Sequence, residues 1–438
     1  MMPTERKVAE EAEVENERAV PASASRSKLP IAAVGAWLLV AVYYFYQYAL
    51  RSAPSVMMPQ LTEAFAVNAL GVSAIVGMFY YGYSPFSLVA GASLDRFGAK
   101  RVIPIGAAIV GIGSLLFATG NAAAANLGRF LQGTGGCFAL IGAAYLITKN
   151  FPATLAASFI GATQMFGMAG GSAGQFLVGP MIKRGLSWNG FWIYAGILGL
   201  AISAALLFLL PKETPKAAKS GGFSSLLTSL GKVLRNPQSL LCGLISGLLF
   251  IPTTILGMTW GVRFLQEGRG REYDAAVMLA ATVPLGWMIG CPLIGFISDR
   301  LGRRKPVIFG GAFVLLGVLA WVLFGDPAML RGPAVGILMG IASGAAMLPY
   351  TVIKEANPPE LGGSATGVIN FLNFTFSALL GPVFGSRLVS AGNGGDTLEL
   401  AQYQAGFKPL LYGIAIALVL TFFLKETGSA VQKTATMS

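Results

Sequence analysis

The segment Gly91-Ala-Ser-Leu-Asp95-Arg96-Phe-Gly98-Ala-Lys100-Arg101 returns as Gly295-Phe-Ile-Ser-Asp299-Arg300-Leu-Gly302-Arg303-Arg304-Lys305. Every matched position is displaced by the same 204 residues. Each copy lies between two long apolar runs. Whatever the first half of the chain folds into, the second half must therefore fold into again, which predicts two pseudo-symmetric bundles rather than one continuous core.

The apolar runs are long enough to cross a bilayer, which takes about 20 residues. Only 11% of the 438 residues are charged, where a soluble domain carries roughly a quarter. The 57 glycines suit a membrane bundle, in which small residues let helix backbones approach closely. Cys137, Cys242 and Cys291 all lie in apolar runs and read as small hydrophobes without a disulfide or metal role. There is no His, hence no His-based metal site or proton relay. With no phosphate-cradling Gly-rich loop and no mid-span pair of acids, no enzyme activity, cofactor or metal is expected. A net charge of +12 would suit nucleic acid, but the charges fall in short loops, so the expected surroundings are membrane lipid and no nucleic acid.

Twelve spans are expected, near 30–57, 69–92, 101–119, 123–148, 154–181, 188–211, 237–265, 273–297, 305–325, 333–353, 362–389 and 402–424. The fold class is thus an all-α membrane protein of twelve transmembrane helices in two six-helix halves. The expected organisation is a disordered cytoplasmic tail over 1–29, a first half over 30–211, a cytoplasmic linker over 212–236, a second half over 237–425 and a cytoplasmic tail over 426–438. No signal peptide is expected ahead of the first span, because a long charged tail precedes it. Most of the 31 Lys and Arg residues fall on the side of the tails and the linker, which puts both termini in the cytoplasm. The expected address is a bacterial inner membrane, and the expected state a monomer.

The duplicated segment has the form G-x-x-x-D-R-x-G-x-[KR]-[KR], and it resembles the signature of the major facilitator superfamily. Arg129-Phe-Leu-Gln-Gly133-Thr-Gly135-Gly136 is similar to that family's R-x-x-x-G-x-G motif. The resemblance covers about residues 30–425. It implies secondary transport of a small molecule by alternating access, with the two halves rocking about a central cavity. It also implies that Asp95, Arg96, Gly98 and Arg101, with Asp299, Arg300, Gly302 and Arg304, form gating latches at the cytoplasmic ends. As acids at helix ends, Asp95 and Asp299 are expected to pair with the adjacent Arg96 and Arg300 or to face the N-terminus of a neighbouring helix. The alternative is that these charges only set topology. Gly98 and Gly302 are expected at positive φ. Arg129 is grouped with the gating residues by its motif, against the alternative of a plain anchor at the membrane surface.

Arg51 is the residue on which a substrate role rests. It lies in Tyr43-Tyr44-Phe45-Tyr46-Gln47-Tyr48-Ala49-Leu50-Arg51, and an Arg in an apolar span is expensive unless it is paired or functional. Its planar fork suits a carboxylate or phosphate. Tyr44, Gln47, Tyr48 and Arg51 share one helix face. This run resembles the first span of the superfamily's organophosphate antiporters and organic anion transporters, where the matching Arg contacts the anion. The organophosphate antiporters carry a second Arg midway along span seven, whereas here that span has no charge until Arg263. Tyr80, Gln164, Asn370 and Asn373 complete the candidate substrate set, with Phe79, Tyr83 and Gln175 as further cavity candidates. None of the acids falls mid-span, which favours an anionic or neutral substrate. A neutral or zwitterionic solute, an inorganic or metal ion, and a receptor that binds solute without moving it remain as alternatives, the first favoured if Arg51 snorkels to the surface.

Overall fold

A computed structural model describes residues 31–211, 223–326, 332–358, 361–391 and 398–428. Among the described residues, twelve long helical segments carry the chain. The first half holds α1 Ile31–Ser52, α2 Ala69–Phe97, α3 Ala99–Phe117, α4 Ala122–Asn150, α5 Ala153–Phe176 and α6 Trp188–Leu209. The second holds α7 Pro237–Gly268, α8 Tyr273–Leu301, α9 Lys305–Phe324, α10 Ala334–Glu355, α11 Gly362–Ala391 and α12 Leu400–Phe423. Ten of them are long and apolar enough to cross a membrane, and α2 makes an eleventh together with the short helix Met58–Phe65, from which it bends by 100°. The remaining helix, α5, is diluted by Gln164, Gln175 and five glycines. Helix starts follow side-chain caps: Asn68, Asn121 and Asn236 accept from the backbone N–H groups of Gly71, Ala124 and Gln238.

Within each half the even helices cross closely. A Cβ at Gly133 of α4 would collide with the carbonyl oxygen of Phe79 in α2, and one at Gly340 of α10 would collide with that of Val283 in α8. The glycines of the Arg129 motif therefore let α4 lie against α2. Gly133→Ala is expected to force the two backbones apart and lower the melting temperature well beyond the effect of Gly231→Ala, whose added methyl meets open space. Equal melting curves for the two variants would contradict this packing.

Between halves, α2 lies along α11 and α5 along α8. Ser84 donates to Phe371 O (2.8 Å) and Asn370 Nδ2 to Ser87 Oγ (3.0 Å) near mid-depth. Nearer the end where α1 finishes, Ser172 donates to Ala281 O (2.8 Å), Gln175 Nε2 to Gly257 O (2.7 Å) and Tyr273 to Val56 O (2.8 Å). The opposite end carries the repeated charged segments. Large apolar side chains such as Ile105, Tyr194, Phe208, Phe313 and Phe422 point outward, as a lipid-facing surface requires.

The first span runs over Ile31–Val56, close to its expected bounds of 30–57. Past Ser52 it tightens into a 3₁₀ turn, Ala53–Val56, because Pro54 offers no N–H to the Leu50 carbonyl. The first copy of the charged segment is almost wholly helical, with α2 reaching Phe97 and α3 starting at Ala99, so Gly98 alone makes the break, whereas in the second copy 302–304 separate α8 from α9. Gly98 and Gly302 do take positive φ, 77° and 63°. Span seven is wound partly as π-helix over Thr253–Trp260 and Phe264–Gly268, which leaves carbonyls such as that of Gly257 for partners outside the helix.

Candidate functional site

The tyrosine face of α1 places Arg51, in the helix's last turn, where the first half meets the second, and it is only 2% exposed there. Protein encloses its guanidinium on all sides, which argues against the snorkelling alternative. Five rings surround its Cζ: Tyr48 at 4.1 Å, Phe79 at 4.6 Å, Tyr83 at 4.9 Å, Phe374 at 5.0 Å and Tyr80 at 5.7 Å from the ring centroids. Four of the rings belong to α1 and α2, while Phe374 is carried by α11 of the other half. A desolvated cation over an aromatic face gains about 2 kcal/mol, so the rings hold the charge in place without neutralising it.

Its hydrogen bonds are incomplete. Arg51 Nη2 donates to Gln47 Oε1 at a long 3.4 Å, while Nε and Nη1 have no acceptor. Gln47 Nε2 and Tyr83 Oη are likewise buried without partners. The unpartnered groups in this cluster are thus donors, or in the tyrosine's case a group able to donate. A buried unmade hydrogen bond costs about 1–3 kcal/mol, more at a charged group. Among the described residues the buried charged side chains are Arg51, Arg129 and Arg269, all cationic. The chemistry missing from this cluster is an acceptor, above all an anionic one.

Beside the cage lies a small cavity of about 10 Å³ between the halves. Tyr44, Tyr48, Gln164, Asn370, Asn373 and Phe374 line it, together with Phe250, Trp287, Met347 and Tyr350. Tyr44 donates to Gln164 Oε1 (2.7 Å). Tyr350 donates to Asn370 Oδ1 (3.2 Å) and accepts from Asn373 Nδ2 (3.3 Å). Five of the eight expected substrate residues therefore line one cavity. The other three, Arg51, Gln47 and Tyr80, stand behind Tyr48 and Phe374 and do not line it in this conformation. Sequence reasoning missed Phe374, Tyr350, Phe250, Trp287 and Met347, whose only signal was their spacing beside Asn370 and Asn373 or their place in spans expected to face the centre. A larger apolar cleft between α7, α8 and α10, lined by residues such as Leu256, Gly261 and Met339, has no polar side chain in its lining to meet an anion.

Arg129 is fully buried, which removes the alternative of a surface anchor. Its Nη1 donates to Leu50 O (3.1 Å) and Gln132 Oε1 (2.6 Å), and Nε and Nη2 reach Val76 O (3.4 and 3.3 Å). The Leu50 carbonyl is the one that Pro54 leaves without a helical partner. Arg129 fills that gap and so fixes the backbone immediately before Arg51. Arg263 pairs instead with Glu267 (2.6 Å), whose second oxygen accepts from Tyr403 (2.7 Å), near the end of α7.

The gating candidates are arranged differently from the expected pairing. Asp299 pairs with Arg304, not with its neighbour Arg300, which is exposed. Helical geometry explains this: Asp299 and Arg300 sit side by side on α8 and point apart, whereas Arg304 returns across the Gly302 turn. Arg304 also binds Glu355 at the end of α10 (3.0 Å) and Ser298 Oγ (3.0 Å). Burial works against the charge of Arg304, but the hydrogen bonds to Glu355 and Asp299 outweigh it and raise the guanidinium pKa above its usual value. Glu426 accepts from the backbone N–H groups of Arg304 (2.6 Å) and Lys305 (3.1 Å), capping α9 from beyond the last span. In the first half Lys100 donates to Leu210 O at the end of α6. Arg96 and Arg101 are exposed, and the side chain of Asp95 lies outside the described residues.

A family model described as Major Facilitator Superfamily matches residues 40–382. The chain is similar to a hexuronate transporter of Bacillus subtilis (strain 168), with 26% identity over 389 residues, 83% of this chain and 89% of that one. It is also similar to multidrug resistance protein Stp of Mycobacterium tuberculosis (strain CDC 1551 / Oshkosh), with 23% identity over 393 residues, 77% of this chain and 72% of that one. Among solved structures, a mutant of the nucleoside transporter NupG superposes with a TM-score of 0.69 at 17% identity, covering 89% of this chain and 99% of that one, a likeness of fold.

Proposed function

The chain belongs to the Major Facilitator Superfamily, a multi-pass membrane transporter of small molecules and not an enzyme, and on that premise we propose that its substrate is a small organic anion held by Arg51. One observation carries the reading: the buried cluster of Arg51 Nε and Nη1, Gln47 Nε2 and Tyr83 Oη, without an acceptor, in a core whose described buried charges are all positive. A carboxylate would accept from several of these groups at once, and the guanidinium fork suits it geometrically. The aromatic walls and amides of the adjoining cavity, water-sized in this conformation, would face the remainder of a compact acid once the halves part. A relative of the chain is named as a hexuronate transporter, which agrees with this chemistry.

Transport follows from the two-fold scaffold. Charge placement favours cytoplasmic tails, and the inter-half hydrogen bonds near Val56 and Tyr273 then close the outer side in this conformation. Parting of those bonds and approach of the halves at the turns around Gly98 and Gly302 would open the cavity outward. The test is uptake of labelled glucuronate by proteoliposomes holding the full chain. Saturable uptake suppressed by organic acids and unaffected by equal concentrations of xylose is expected. Uptake absent for acids but present for uncharged sugars would overturn the reading.

A further inference from the structure

Arg51 is screened from the cavity it is argued to serve, and its screen is not uniform. Tyr48 is on α1 with Arg51, and Phe79, Tyr80 and Tyr83 are on α2 of the same half. These four rings travel with the cation when the halves rock as rigid bodies. Phe374 alone among the five comes from the other half. Like Tyr48 it borders both Arg51 and the cavity: its ring is 5.0 Å from Cζ, and it also lines the cavity wall. It is anchored on both sides, 4.5 Å from the Tyr83 ring and stacked on Tyr80 at 6.1 Å, with Phe250 of α7 behind it at 5.7 Å.

We propose that Phe374 is a shutter over the Arg51 anion site. With the site empty, its face completes the cage and stabilises the unpaired cation. An incoming anion reaches Nε and Nη1 only as the ring is withdrawn, which requires α11 to shift against α2. Occupancy and rocking are thereby coupled through one side chain. The cage also has a role when nothing is bound. An empty carrier must reorient with a bare guanidinium in low dielectric, and the fifth ring supplies part of the stabilisation that hydrogen bonds do not. This inference rests on the organic-anion reading of Arg51.

The experiment uses the full chain with Phe374→Met, which keeps bulk but removes the aromatic face, and Phe374→Tyr, which keeps the face. Glucuronate affinity is read from ligand-dependent thermal shifts. Net uptake into empty proteoliposomes is compared with exchange into glucuronate-loaded ones. For Phe374→Met we expect five- to tenfold tighter binding, about tenfold slower net uptake and exchange within twofold of wild type, while Phe374→Tyr behaves as wild type. Unchanged or weaker binding in Phe374→Met overturns the shutter, as does an equal fall in net uptake and exchange, the signature of a merely structural defect. A wild type that exchanges but shows no net uptake also overturns it. If glucuronate produces no shift in wild type, or one that Arg51→Gln leaves intact, the organic-anion reading fails and the shutter falls with it. A wild-type shift that Arg51→Gln abolishes and Phe374→Met does not alter sinks the shutter alone.

Discussion

Arg51→Gln is expected to weaken glucuronate binding at least 100-fold and to remove saturable uptake. The guanidinium can make two charge-assisted hydrogen bonds to a carboxylate, each contributing about 1.5–3 kcal/mol. Loss of about 3 kcal/mol corresponds to roughly 100-fold in affinity. Glutamine keeps a donor but neither the fork nor the charge. Arg51→Lys should fall between the two, since an ammonium retains the charge without bidentate geometry. The ligand-free protein should be no less stable with Gln at this position, because the substitution removes a buried charge that hydrogen bonds do not satisfy. That combination, function lost with stability kept or raised, separates a binding role from a structural one. Isothermal titration together with ligand-free melting curves measures both. Retained affinity in Arg51→Gln removes this residue from the site.

The opposite pattern is expected at Arg129. Arg129→Met should lower ligand-free stability by about 2–4 kcal/mol, because it withdraws charged donors from two backbone carbonyls and Gln132 and strands the Leu50 oxygen. Binding should weaken as a consequence, since the α1 backbone before Arg51 loses its brace. Pro54→Ala supplies an N–H able to meet the Leu50 carbonyl, so Arg129→Met/Pro54→Ala should recover part of the stability lost in Arg129→Met. Additive losses in the double variant, measured by thermal melting and analysed as a double-mutant cycle, would show that the two residues do not act on the same carbonyl.

The scaffold was legible in the sequence because its causes are local and repeated. Apolar run length sets a membrane span, and the 204-residue displacement sets the two-fold plan. Tyr44, Gln47, Tyr48 and Arg51 were legible as a group because polar residues spaced three or four apart in an apolar helix stand out. Gln164, Asn370 and Asn373 stood out for the same reason, and all three reach the cavity. Phe374 could not be found this way, since an aromatic residue in an apolar span looks the same whether it faces lipid, core or a cation. The role of Pro54 was hidden as well. A proline breaks a helix by rule, but which distant donor takes the freed carbonyl is decided by packing, here the close crossing that Gly133 allows. The Asp299 pairing went to Arg304 because chain reversal at Gly302 outweighs adjacency in sequence. Glu426 fell in a segment expected to be only a tail, and its cap on α9 depends on where α12 ends in space.

Determining the structure of the full chain with glucuronate, or with whichever organic acid gives the largest Arg51-dependent thermal shift, tests the central claim most directly. The account predicts the acid's carboxylate within hydrogen-bond distance of Arg51 Nε or Nη1, with Gln47 Nε2 or Tyr83 Oη as a further donor and the Phe374 ring drawn away from Cζ. An acid seated in the cavity with its carboxylate on other donors, and the five rings still closed around Arg51, would contradict it.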